Sequence, residues 1–205
     1  MIGVAVEAGI WTITIDRPEK ANSLTRAMLV ALDAAVERAA SEAARAVIFT
    51  GAGRVFSAGA DLDEMRAGLL GHDPIWAQVS GRIAGLSALT IAALNGTCAG
   101  GAMGMVLACD LRVAVPGAAF FYPVMRLGYL PQPGDPARLL ALVGPSRAKM
   151  ILLAGARIDT DEARQWGLID RVAEPPALMA AAQALAADAV AAEAAHVRAI
   201  KALLC

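Results

Sequence analysis

The 205-residue chain has almost no net charge, 18 Lys and Arg opposing 19 Asp and Glu for −1 at pH 7. Its cations are scattered, so nothing points to nucleic acid or a membrane surface as a partner, and any phosphate contact must be local. Cysteine is scarce. Cys98, Cys109 and Cys205 are odd in number and lack CxxC spacing. The start, MIGVAVEAGIW, has no cationic region ahead of a long apolar run, so no signal peptide is indicated and the thiols read as reduced ones of a cytoplasmic protein. The two histidines, His72 and His196, have no HExxH or HxxxH partner, which argues against a zinc site, and no metal is expected. No Ser-, Pro- or Gly-rich linker divides the chain, so a single domain over 1–205 is the expectation.

The stretch Ile83 to Cys109 lacks any charged residue and is long enough to span a bilayer. Asn95-Gly96-Thr97 and Gly100-Gly101 interrupt it, and unpaired backbone there would be costly in hydrocarbon. It therefore reads as a buried strand, a turn and a buried helix. Elsewhere Ile2–Val6 and Trp11–Ile15 predict a hairpin about Ala8-Gly9. Met28, Leu29, Leu32, Val36 and Ala39 give Thr25–Ala43 a helical face, with Asp33 among the polar positions off it. Strands are predicted at 46–50, 90–94, 111–115, 118–121 and 168–172. Helices are predicted at 75–86, 101–109, 137–143, 146–153 and 161–165, the last capped by Thr160-Asp161. An Ala-rich helical tract runs from Pro175. Strands alternating with helices make this an α/β chain.

Two glycine-rich segments, Gly51–Met65 (GAGRVFSAGADLDEM) and Asn95–Asp110 (NGTCAGGAMGMVLACD), each follow an apolar strand. Two such strand-to-helix junctions can aim two backbone N–H donors at one oxygen. Neither matches a commoner motif. The third glycine position of a dinucleotide fingerprint holds Phe56, and Val55 replaces the first glycine of a GxSxG elbow around Ser57.

These segments carry a resemblance. FSAGADL (56–62), ALNGTCAGGAMG (93–104), CDLRVA (109–114) and the opening IDRPEKANSL (15–24) resemble the crotonase superfamily of enoyl-CoA hydratases and isomerases, in order from about Trp11 to about Val172. The resemblance implies a crotonase-like spiral of ββα repeats over about 1–173, with a helical C-terminal part over about 174–205 that is shorter than usual. It implies an acyl-CoA thioester as substrate, with CoA as part of the substrate rather than a separate cofactor, and a homotrimer or dimer of trimers. It also implies an oxyanion hole from the N–H groups of Ala60 and Gly101. CoA phosphates would pass Arg17 and Lys20, and Ala58, Asp61 and Leu62 would line the nucleotide and pantetheine channel. Asp61 also suits the start of a helix.

Hydratases of the family carry two glutamates whose positions here fall on Gly104 and Val124, so neither can move a proton. In the loop Tyr129–Asp135 (YLPQPGD), Gln132 matches a position that faces the acyl α-carbon, and Asp135 follows three residues on. Both are candidate site residues, Asp135 also being suited to cap the next helix. The resemblance places His72 near the acyl end of the ligand. Without the glutamates, isomerase or decarboxylase chemistry fits better than hydration, and PVMRLGYLPQ (123–132) is loosely similar to methylmalonyl-CoA decarboxylase. The alternative is a non-catalytic acyl-CoA-binding homologue.

Overall fold

The computed structural model describes residues 1–204. β1 (Ile2–Glu7) and β2 (Ile10–Ile15) pair antiparallel. Ala8 and Gly9 turn between them at φ +48° and +80°, the doubly left-handed turn whose twist matches a hairpin.

From β2 onward the chain repeats one unit. A strand joins a long parallel sheet, a short extended segment crosses to a second ladder, and a helix returns over the outside. The first unit is β2, the residue Leu24, and α1 (Arg26–Ser41). The second is β3 (Ala46–Gly51), the segment Ser57–Ala60, then α2 (Leu62–Arg66) and α3 (Ile75–Ala84). The third is β4 (Leu89–Leu94), β5 (Cys98–Ala99) and α4 (Ala102–Ala108). The fourth is β6 (Leu111–Ala114), β7 (Ala119–Phe121), α5 (Val124–Leu127) and α6 (Asp135–Leu152). β8 (Ile158–Asp159), α7 (Thr160–Trp166), β9 (Arg171–Val172), α8 (Leu178–Ala191) and α9 (Ala194–Ala202) complete the described chain.

The long sheet has the order β1-β2-β3-β4-β6-β9, parallel from β2 on. The second ladder runs β5-β7-β8, and a bridge between Ser57 and Cys98 extends it by one rung. β3 and β4 are buried along nearly their whole length, covered on both faces, which is why they read as unbroken apolar runs instead of alternating ones. Ile13, Val47, Ile48, Ile91 and Leu94 are fully buried, each contributing roughly 1.5–3 kcal/mol by leaving water. The charge-free stretch 83–109 is thus the end of α3, β4, β5 and α4, mostly buried, with Gly85 and Ser87 exposed in the turn before β4.

α1 buries Met28, Leu29, Leu32, Val36 and Ala39, as its spacing predicts. Asp33 departs from its predicted polar face. It is buried and accepts from Gln78 Nε2 (2.7 Å) and Arg82 Nε (2.8 Å), pinning α3 to α1. The two helices predicted at 137–143 and 146–153 are both present, the two halves of α6, separated where Gly144 turns to φ +77° ahead of Pro145. Asp159, one residue before the predicted cap, starts α7. Its carboxylate accepts from Glu162 N–H while Glu162 reaches back to Asp159 N–H. Thr160 is diverted inward, donating to Val115 and Ala118 carbonyls. The predicted strand 168–172 shortens to β9 because Leu168 and Ile169 N–H both turn back to the Ala163 carbonyl.

Candidate active site

Polar side chains fix the loop from Gly51 to Asp61 from below. Asn22 Nδ2 donates to the carbonyls of Ala52 (2.8 Å) and Val55 (2.6 Å), and Asn95 accepts from Gly51 N–H (3.0 Å) while donating to Gly53 (2.9 Å). Ser57 Oγ donates to the Asn22 carbonyl (2.8 Å) and accepts from Gly59 N–H (3.2 Å). The hydroxyl is spent on the loop, consistent with the absence of a nucleophile elbow. Gly59 sits at φ +91°, and a Cβ there would come within 2.7 Å of the Ala99 carbonyl and 3.3 Å of Gly101 N. Only a bare backbone lets the two glycine-rich loops meet.

At that meeting, Ala60 and Gly101 line one cavity of about 460 Å³. Ala60 N–H lies between rungs in which Leu24 N–H donates to Gly59 and Asp61 N–H donates to Leu24, and among the described residues nothing accepts from it. The same holds for Gly101 N–H, at the entrance to α4. Both residues are partly exposed at the cavity, so each N–H is open to an acceptor from solvent or ligand. Trp76, donating Nε1–H to the Leu70 carbonyl, forms a wall against Gly101. Tyr122, Val124, Leu127, Leu130 and Gln132 line the cavity from other sides, and Arg66 is the one charged residue among its lining.

Of the two positions that the resemblance matches to glutamates, Val124 is buried at the wall. Gly104 has no room for a side chain as the structure stands, because a Cβ there would lie 2.8 and 2.9 Å from the two carboxylate oxygens of Asp135. Asp135 comes from the first turn of α6 and is 1% exposed. It does not cap α6, whose N-cap is Gly134. One of its oxygens instead accepts from Tyr122 Oη (2.8 Å), and the other has no hydrogen-bond partner, with Arg138 Nη1 3.8 Å away. Burial pushes the Asp135 carboxyl up to about 6, against the opposing pull of the Tyr122 hydroxyl and Arg138. Burial and the neighbouring carboxylate push the Tyr122 phenol well above its ordinary range.

The other sequence candidates disperse. Arg17 turns inward, donating from Nη1 to Asp61 (2.7 Å) and to the Ser23 carbonyl (3.2 Å). Asp61 also caps α2, accepting from Asp63 and Glu64 N–H. The Arg17 donation, with those backbone donors, holds its carboxyl below the usual range. Lys20 is exposed beside the short turn Pro18–Lys20. Ala58 and Leu62 are exposed at the cavity rim, and Gln132 is half-buried within it. His72 is exposed, edge-on to Tyr129, and does not line the cavity. Cys98 and Cys109 are buried thiols, both raised far from thiolate formation, Cys109 to about 12. Tyr122 and Trp76 line the cavity without having been among the sequence candidates, and the signal for Tyr122 was a phenol directly before Pro123.

The α/β spiral of strands and returning helices, with Ala60 and Gly101 lining one cavity, defines the class, and this is the crotonase fold. The chain belongs to the enoyl-CoA hydratase/isomerase family, whose sequence profile it matches over residues 5–205. It is 35% identical over 191 residues to the short-chain-enoyl-CoA hydratase of Clostridium acetobutylicum, covering 88% of this chain and 71% of that protein. Among solved structures, the enoyl-CoA hydratase of Bacillus anthracis superposes with a TM-score of 0.92 at 33% identity, over 99% of this chain and 81% of that one. DspI of Pseudomonas aeruginosa superposes at 0.91 with 31% identity, over 99% and 79%. Among the described residues no single helix is long and apolar enough to cross a membrane, and no group of metal-ligating side chains is present.

Proposed function

We propose that the protein is an acyl-CoA enzyme that stabilises an enolate and shifts a double bond or releases carbon dioxide, rather than adding water. The observation that carries this reading is the pair of unpaired N–H groups, Ala60 and Gly101, at one cavity whose lining holds no carboxylate. Seated between those donors, a thioester oxygen would gain stabilisation as it becomes an enolate, each donor being worth on the order of 3 kcal/mol. Hydration needs an acid and a base that hold a water, and Gly104 and Val124 supply neither. The nucleotide would lie over the Arg17–Lys20 turn with Lys20 toward phosphate. Ala58 and Leu62 would border the pantetheine, and the paired Arg17 and Asp61 would hold that rim in place.

The test is binding followed by turnover. A CoA thioester should bind measurably in calorimetry while the corresponding free acid does not, and crotonyl-CoA should be hydrated very slowly. Equal affinity for acid and thioester, or brisk hydration by the pure protein, would overturn the reading. Gly101→Pro should abolish turnover while part of the CoA affinity survives. Gly101 already has φ −59°, which proline accepts, although Trp76 must shift, so circular dichroism has to show an intact fold first. Tight thioester binding without turnover of any enoyl- or malonyl-type ester would instead mark a binding protein.

A further inference from the structure

The space next to α4 that a side chain at position 104 would enter is filled by a carboxylate from another helix. Asp135 reaches back from the first turn of α6 until its oxygens stand within 2.9 Å of where a Cβ at 104 would be. One of them holds the hydroxyl of Tyr122, which lines the cavity that Ala60 and Gly101 open onto. Gln132 N–H approaches the same hydroxyl oxygen at 3.4 Å. A phenol has one proton to give and two lone pairs. With its proton aimed at Asp135 and one lone pair toward Gln132, the second lone pair has no partner among the described residues.

We propose that Tyr122 is the catalytic acid–base group of this site, with Asp135 its positioning residue and proton store, so that a carboxylate from α6 serves where helix α4 has none. The proposal rests on the acyl-CoA reading above and narrows it to proton transfer at carbon, a double-bond shift in a 3-enoyl thioester. The C–H bond beside the thioester carbonyl breaks and its proton goes to Tyr122 Oη as the phenol's own proton passes to Asp135. The electron pair moves into a dienolate whose oxygen rests on Ala60 and Gly101 N–H. The proton then returns by the same path to the far end of the dienolate, leaving a 2-enoyl thioester and the original dyad. Nothing is oxidised or reduced, and no water is consumed.

The charged and titratable neighbours favour this use. Arg138, on α6 itself, places Nη1 3.8 Å from the second Asp135 oxygen without hydrogen-bonding it. From β5, Cys98 is a neutral buried thiol, and on α4 Gly104 adds no titratable group beside the carboxylate. Asp135, raised to about 6, is therefore ionised and able to take a proton at neutral pH.

The experiment is deuterium wash-in to 3-hexenoyl-CoA in heavy water, read by mass spectrometry together with formation of the 2-enoyl product, in parallel with calorimetric binding. Wild-type protein should exchange and isomerise, with a rate that rises as pH passes through about 6. Asp135→Asn and Tyr122→Phe should each lower exchange about 100- to 10,000-fold at unchanged thioester affinity, and Asp135→Asn should lose the limb near pH 6. Exchange at the wild-type rate in either folded variant would overturn the proposal. So would a wild-type protein that binds the thioester without exchange, which leaves thioester binding intact, or one that decarboxylates a malonyl-type thioester equally well in all three forms, which leaves the acyl-CoA enzyme reading intact. Absence of thioester binding would remove both. A swap, Gly104→Glu with Asp135→Gly, returns the carboxylate to α4 and should restore part of the exchange lost in Asp135→Gly alone.

Discussion

At the scale of single residues, the contact between Gly104 and Asp135 decides what the site can hold. Gly104→Ala forces a methyl to within 2.9 Å of a carboxylate that Tyr122 already fixes. It should cost about 1–3 kcal/mol, a lowered thermal midpoint that Asp135→Gly relieves. Introducing glutamates at 104 and 124 without removing Asp135 should misfold or fail for the same reason. Asp135 also has a stability signature. Its folded carboxyl is raised to about 6 from an ordinary 3.8, so the stability it contributes is present in the neutral form below about 4 and lost as pH rises through 6. Asp135→Asn should match wild type in urea denaturation at pH 4 and exceed it at pH 8 by on the order of 3 kcal/mol. A residue kept for stability would show the reverse, so a more stable and less active variant fits a charge retained for chemistry.

At the scale of elements, the loop from Gly51 to the start of α2 is held by a few polar side chains whose removal should loosen the site without unfolding the sheet. Asp61 both caps α2 and accepts from Arg17. Asp61→Ala should cost about 1 kcal/mol as a lost cap, with a larger loss in thioester affinity than in stability. The sign of its pH dependence is opposite to that of Asp135. Because Arg17 lowers the Asp61 carboxyl, its contribution is present above its unfolded pKa and lost as pH falls through the folded value. The stability gap between wild type and Asp61→Asn should therefore narrow below about pH 4. The hairpin, α1, β3 and α4 were legible in the sequence because local chemistry agrees with the packing, as with the Ala8-Gly9 turn and the buried stripe of α1. The cap at Asp159 and the short β9 were not, because Thr160 and Leu168 are pulled by partners at Val115 and Ala163 that no local pattern announces.

At the scale of the molecule, the exposed apolar side chains near the cavity rim, Leu62, Leu127 and Leu130, are 63%, 53% and 85% exposed. Met125 and Leu69 expose a further apolar surface in the same segments. We expect this surface to be covered by a second copy of the chain, in a trimer or dimer of trimers. Light scattering at micromolar concentration should show an assembly larger than a monomer, and Leu130→Asp should weaken it; a monomer at all concentrations would reject the expectation.

By itself the sequence determined the alternation of strands and helices and the two glycine-rich loops that carry Ala60 and Gly101, and through the motifs in those loops the family, whose resemblance in turn implied the spiral. Those features depend on glycine, small residues and apolar runs at short range, where residue type nearly dictates backbone shape. It also made plain that Gly104 and Val124 carry no carboxylate. Only the tertiary structure decided what takes that place, since Gly104 and Asp135 are thirty-one positions apart and Tyr122 lies between them in sequence. Whether Asp135 caps a helix or faces a phenol depends on how α6 seats against α4, a long-range packing choice that leaves no trace in the spacing of the residues themselves.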